Sequence, residues 1–527
     1  MENALKKYSI ETTDYQVGQD NVQKWGFDIH NPVFGISAGL VILSLISLLV
    51  LDPSTARDAL NGLRNGIIED FDVFFMWSTN FFLFFAVALL FSPLGKVRIG
   101  GKDAVAEHST LSWLSMLFAA GMGIGLLFWS VAEPTAYFTD WWGTPLNTEP
   151  YSAEAKSLAM GATLFHWGIH GWGIYAIVAL SLAFFAYNKG LPLSLRAAFY
   201  PIFGDRAWGW LGHVIDILAV LSTLFGLATS LGLGAQQATS GINHVFGLDG
   251  GIGMQMVVIA FVTFIAVLSV IRGIDGGVKL LSNINMIVAF ALLIFVTYIS
   301  FDTAVKSLWD TTLAYAQNII PLSNPHGRED STWMHGWTVF YWAWWISWSP
   351  FVGMFIARVS KGRTVREFLF AVIVIPTTVT LIWMSVFGGI ALDQVVNKVG
   401  ELGANGLTDI SLTLFHVYDA LPYSSVISVL SIMLILVFFI TSSDSGSLVI
   451  DSITAGGKID APVPQRIFWA CIEGAIAAVM LFVGGKEALQ ALQSGVVATA
   501  LPFTFVLLLM CVSLVKGLRS ELPAYQH

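Results

Sequence analysis

Apolar runs alternate with short polar stretches along almost the whole chain. The runs lie at approximately 32–51, 71–92, 110–131, 158–187, 208–241, 252–272, 278–300, 332–357, 368–391, 424–453, 467–484 and 492–515. A bilayer core about 30 Å thick needs about 20 apolar residues per helix, and a membrane barrel would instead show weak alternation over about ten residues. The pattern therefore predicts an all-α integral membrane protein with 12 transmembrane helices. Residues 1–31 read as a polar N-terminal tail without the basic and apolar halves of a cleaved signal. Two leading helices follow at 32–92, then a block of five runs at 110–300, an amphipathic connector at 301–331, a second block of five at 332–515 and a short tail at 516–527.

Each block opens on a run that should break. The first carries Gly121, Gly123 and Gly125 around Met122 and Ile124; the second carries Ser347-Trp348-Ser349-Pro350 and then Gly353. Glycine and proline interruptions at matching places in two halves predict discontinuous helices that expose backbone at the membrane midplane, where secondary transporters bind substrate and ions.

Composition agrees with this pattern and adds an orientation. Only 12% of residues are charged and 55% are hydrophobic, where a soluble domain carries about 25% charge. Of 26 Lys and Arg residues, 19 fall on the side shared by the two tails and 7 on the other, which predicts that both termini are cytoplasmic, in the inner membrane of a cell that has two. The net charge of −9, with no basic run, excludes nucleic acid as a partner. Cys471 and Cys511 sit inside apolar runs and read as buried small hydrophobes.

Five tryptophans, Trp337, Trp342, Trp344, Trp345 and Trp348, crowd one run. Interfacial belts place tryptophan at helix ends, and these continue into the helix. Another run holds Trp167, Trp172 and Tyr175, which at 100° per residue would lie at about 0°, 140° and 80° on one helix and wall a broad face. Converging π faces receive a diffuse cation, each contributing about 0.5 to 2 kcal/mol. A polar group stands beside them: Phe438, Thr441 and Ser442 sit at i, i+3 and i+4. Their oxygens, with carbonyls freed at the glycine break, form a hard-oxygen set suited to Na⁺.

Glu133, Asp216, Asp444, Asp451 and Glu473 are acids within or beside apolar runs, most of them near run ends where a loop Arg can pair. His166 and His170 have metal-ligand spacing but lack a third ligand. Nucleophile elbows, phosphate loops and cofactor fingerprints are missing from the sequence, so an enzyme and an organic cofactor are not expected.

The stretch Gly336 to Arg358, with Phe118 to Gly125, Ala132-Glu133-Pro134 and Phe165 to His170, resembles the betaine/choline/carnitine transporter family over residues 25–515. The resemblance implies a leucine-transporter-like fold, a 5+5 inverted repeat preceded by two extra helices, assembled as a homotrimer in membrane lipid. It implies an aromatic box for a trimethylammonium group formed by Trp167, Trp172, Tyr175 and Trp345, with Trp344 and Trp348 along the permeation path. It also implies a Na⁺ site from Ala119 and Met122 carbonyls, the Phe438 carbonyl and the Thr441 and Ser442 hydroxyls. A further ion site of some members would use Thr223 and Phe351, but Leu227 replaces its second threonine. Gly125 stands where choline carriers of the family tend to carry Asp, leaving room for a zwitterion. The expected activity is Na⁺-coupled symport of glycine betaine or its sulfonium analogue dimethylsulfoniopropionate by alternating access. The alternative is H⁺-coupled or exchange transport of choline, carnitine or trimethylamine.

Overall fold

The computed structural model describes residues 13–121, 123–272 and 278–525. The chain opens with a hairpin in which β1 (Asn21–Lys24) and β2 (Phe27–His30) run antiparallel, Asn21 opposite His30. Its two-residue turn places Trp25 at φ 52° and Gly26 at φ 80°, the paired positive φ that suits the twist of a hairpin. The tail is therefore more than polar chain. Asn21 donates its amide to the Ala455 carbonyl at 2.8 Å, and Lys458 pairs with Asp28, so residues from far along the sequence hold the hairpin.

Helices follow in order: α1 (Asn31–Val50), α2 (Pro53–Phe91), α3 (Thr110–Gly121), α4 (Ile124–Phe138), α5 (Ala153–Trp167), α6 (Ile169–Lys189), α7 (Trp210–Phe246), α8 (Ile252–Arg272) and α9 (Val278–Ile299). After them come α10 (Phe301–Ser323), α11 (Phe340–Val359), α12 (Val365–Asn397), α13 (Ser424–Thr454), α14 (Val463–Gly484) and α15 (Ala488–Glu521). Their starts carry ordinary capping chemistry: Ser152 accepts from the Ala155 N–H at 3.0 Å, and Thr364 with Glu367 forms a reciprocal capping box. A helix or helix pair overlies each apolar run of the sequence. Among the described residues, nine helical stretches are long and apolar enough to cross a bilayer. Phe84, Val257, Phe264 and Ile294 are exposed on them, an outer surface that lipid covers at no cost. The protein is a multi-pass membrane protein.

Helix α10 lies over the expected connector and buries Ala304, Thr311, Ala314 and Leu322. It also reaches the interior, because the Tyr315 hydroxyl accepts from the Ile169 N–H at 3.3 Å at the start of α6.

The helix breaks differ from the expectation in three respects. First, Gly121 ends α3 and Gly125 is already the second residue of α4, so of the three glycines only Gly123 is extended, at φ −170° and ψ −174°. Met122 lies outside the described residues, as do the side chains of Phe118 to Gly121, Ala119 among them. Second, α11 runs unbroken through Pro350. Proline removes the N–H that would bond the Ile346 carbonyl, and the Ser349 hydroxyl donates to that carbonyl at 2.7 Å instead. Gly353 serves close packing: a Cβ there would sit 2.6 Å from Val178 on α6. Third, the second interruption falls at Gly168, between α5 and α6, where a Cβ would meet the Leu164 carbonyl at 2.6 Å and the Tyr315 hydroxyl at 2.8 Å. Trp167 therefore sits on a different helix from Trp172 and Tyr175.

One further expectation fails. Cys511 is buried but Cys471 is exposed on α14, since an apolar run in a membrane protein has a lipid-facing side as well as an inner one.

Candidate binding site

The two breaks and the crossing of α6 with α11 enclose a cavity of about 260 Å³. Trp167, Trp172, Tyr175, Trp344, Trp345 and Trp348 all line it, and so do Gly123, Gly125, Phe438, Thr441 and Ser442. Residues scattered over more than 300 positions of sequence thus meet at one point.

Trp345 is the centre of the aromatic wall. Its ring centroid lies 6.0 Å from Trp167, 5.6 Å from Trp172 and 4.6 Å from Tyr175, with interplanar angles of 70°, 68° and 51°. Rings at such angles brace one another edge to face. The Trp345 indole N–H donates to the His166 carbonyl at 2.9 Å, and Gly171 gives it a flat seat, since a Cβ there would fall 2.4 Å from the ring. Trp348 and Trp344 donate to the Gly226 carbonyl of α7, at 2.9 and 3.4 Å, and Trp344 stacks on Phe340 at 15°.

Gly125 borders the cavity. A Cβ at this position would lie 2.5 Å from the Trp167 ring and 3.3 Å from Trp344. The absent side chain is what lets Trp167 lean over the break.

The opposite wall is polar and belongs to α13, with Ser445 joining Phe438, Thr441 and Ser442. Thr441 turns its hydroxyl back on its own helix, donating to the Val437 carbonyl at 3.0 Å and to that of Phe438 at 3.2 Å. Ser230 of α7 and Ser282 and Met286 of α9 also line the cavity, and the sequence had singled out none of these. Thr223 is buried on α7 and Phe351 lines the cavity, but Leu227 packs toward α13, where a Cβ on Gly446 would meet it at 2.3 Å.

Two acids pair with arginine as expected: Asp216 with Arg196 at 2.6 Å and Asp451 with Arg466 at 3.4 Å. Two do not. Glu473 is fully buried and accepts from the Ser443 and Ser447 hydroxyls at 3.1 and 3.4 Å. Glu133 is fully buried beside the aromatic wall and accepts from Trp167, a role that its place near the end of an apolar run did not suggest. His166 bonds Glu133 at 2.8 Å, whereas His170 packs against Phe165 and Trp342.

The family model of BCCT, the betaine/carnitine/choline family transporters, matches residues 32–523. The chain belongs to this family. Transport, and not catalysis, is the work of this betaine/carnitine/choline family member. A glycine betaine/proline/choline/ectoine transporter of Vibrio parahaemolyticus is 89% identical over 526 residues, covering 100% of this chain and 94% of the relative. Glycine betaine transporter 1 of the same organism is 68% identical over 521 residues, covering 99% and 100%. A crystal structure of a manganese transporter of Eremococcus coleocola superposes over 80% of this chain and 88% of its own, with 15% identity and a TM-score of 0.42, a likeness too loose to bear on function.

Proposed function

We propose that the protein imports a methylated onium zwitterion, glycine betaine or dimethylsulfoniopropionate, coupled to Na⁺, by alternating access to the cavity between α4, α6, α11 and α13. The observation that carries this reading is the convergence of Trp167, Trp172, Tyr175 and Trp345 on one small cavity. Methylated onium groups are cheap to desolvate, and each ring face adds about 0.5 to 2 kcal/mol. The zwitterion's carboxylate would face the N-terminus of α4 at Gly123 and Ile124, where the helix dipole favours an anion.

On this reading Na⁺ is carried beside the substrate by the Thr441 and Ser442 hydroxyls and the Phe438 carbonyl, with the backbone carbonyls of Ala119 and Met122. The Thr441 hydroxyl can keep donating within α13 while its oxygen lone pairs face Na⁺. One Na⁺ moving down about 100 mV gains about 2.3 kcal/mol, and a tenfold gradient adds about 1.4 kcal/mol. One ion therefore supports accumulation of a neutral zwitterion by several hundredfold, and a second site is not needed. The wider assembly follows the family: a 5+5 inverted repeat, a homotrimer, both termini on the cytoplasmic face of the inner membrane.

The 89% identical relative, named for glycine betaine, proline, choline and ectoine, favours a range wider than one onium compound. Labelled glycine betaine in proteoliposomes, driven by an inward Na⁺ gradient and then by K⁺ or proton gradients of equal size, tests the proposal. Uptake is expected with Na⁺ alone. Equal uptake under a proton gradient without Na⁺, or only against internal substrate, would move the assignment to proton coupling or exchange.

A further inference from the structure

Glu133 contributes no atom to the cavity wall, yet it is tied to the wall more closely than any other acid. Its Oε2 accepts from the Trp167 indole N–H at 2.8 Å and from the Tyr341 hydroxyl at 2.6 Å. Its Oε1 accepts from the Tyr137 hydroxyl and from His166 Nδ1, both at 2.8 Å, and His166 Nε2 meets the Thr338 hydroxyl at 2.9 Å. Tyr137 Oη also lies 3.1 Å from His166 Nδ1; with the proton of His166 on Nδ1, an ionised carboxylate, which only accepts, would be offered four donors. Among the described residues no Lys or Arg bonds this group, and its partners are two phenols, an indole and an imidazole.

We propose that Glu133 is the counter-charge of the onium site, acting through the indole of Trp167 and never touching the substrate. The proposal rests on the onium reading of the cavity given above. A carboxylate bonded to an indole N–H polarises the ring toward its π face, and the ring quadrupole is what attracts a cation. The same carboxylate attracts the cation directly, with little screening, because the space between them is filled by a ring and not by water. An uncharged head of the same shape gains from neither effect. Glu133 is also a positioning residue for a second ring: it holds the imidazole of His166, whose backbone carbonyl receives the Trp345 N–H. The cation site thus has a carboxylate one ring removed, where direct contact would have immobilised the cation and repelled the zwitterion's own carboxylate.

Glutamine can replace Glu133 and keep the geometry. Its amide oxygen would face Trp167 and Tyr341, its NH₂ would face Tyr137 and the Nδ1 of His166, and the other histidine tautomer would donate to Thr338. Glu133→Gln therefore removes charge more than shape. The test uses proteoliposomes with labelled glycine betaine and, as competitor, 3,3-dimethylbutanoate, its isostere with carbon in place of the ammonium nitrogen. Glu133→Gln is expected to raise the apparent KM for betaine about fivefold to twentyfold, with Vmax and the inhibition constant of the isostere within about twofold of wild type. Equal shifts for betaine and isostere would make Glu133 a structural bolt only, and no shift for either would remove it from the site; each result overturns the proposal. Should Glu133→Gln fail to fold, Trp167→Phe keeps an aromatic face and drops the donor. It is expected to weaken betaine more than the isostere, and equal weakening overturns the proposal. Trp345→Ala in the same assay separates the two readings: if it leaves betaine affinity unchanged, the aromatic box itself fails, whatever Glu133→Gln does.

Discussion

On the aromatic wall Trp345, Trp348 and Trp344 each give their indole N–H to a backbone carbonyl of another helix, His166 or Gly226, and Trp167 gives its own to Glu133. On the hydroxyl wall Thr441 instead bonds carbonyls of its own helix. One wall is fixed before any ligand arrives, because three helices hold its rings from behind. The other is tied only within its own helix, and because Thr441 donates in those bonds its oxygen lone pairs stay available to a cation. A wall braced by several helices recognises shape and charge at small reorganisation cost, whereas a wall carried by one helix lets an ion act on that helix alone. The difference suits the first wall to selecting the substrate and the second to sensing the ion.

The largest expected effect comes from removing the centre of the fixed wall. Trp345→Ala should abolish saturable betaine uptake while protein of the correct size remains in the membrane, as judged by uptake kinetics and size exclusion of the extracted protein. Gly125→Ala is next: its Cβ would lie 2.5 Å from the Trp167 ring and displace it, raising the apparent KM about tenfold. A change in KM below twofold would show that the ring's placement is unimportant. On the other wall, Thr441→Ala with Ser442→Ala should raise the Na⁺ concentration for half-maximal uptake about fivefold, with the betaine KM at saturating Na⁺ within twofold. If betaine affinity falls as much as Na⁺ affinity, the two walls do not divide the work. Ser349→Ala should have the smallest effect, about 1 to 2 kcal/mol of stability from the orphaned Ile346 carbonyl, seen as a lower thermal midpoint in detergent with unchanged KM.

The apolar runs were readable as helices because membrane spans carry a long, one-signed signal, and the crowding of tryptophan between Trp337 and Trp348 marked the right helix. Gly123 was readable as a break, but the sequence could not show that Gly121 and Gly125 stay helical around it. Pro350 misled because its repair depends on one rotamer of Ser349. Gly168 was hidden among many glycines, its significance arising from Leu164 and from Tyr315 on the connector. Glu133 was legible as an acid in an apolar run, yet its partners Trp167 and Tyr341 come from other helices, and no spacing along the chain announces such a meeting. The hairpin at Asn21–His30 was missed for a similar reason, since Ala455 and Lys458 help to hold it.

The central claim is that the fixed wall reads a positive charge and not merely a bulky methylated head. It is tested most directly by comparing glycine betaine with 3,3-dimethylbutanoate as competitors of labelled betaine uptake by the wild-type protein in proteoliposomes. The account predicts that the uncharged head competes at least about tenfold more weakly than betaine. Equal competition by the two would contradict it.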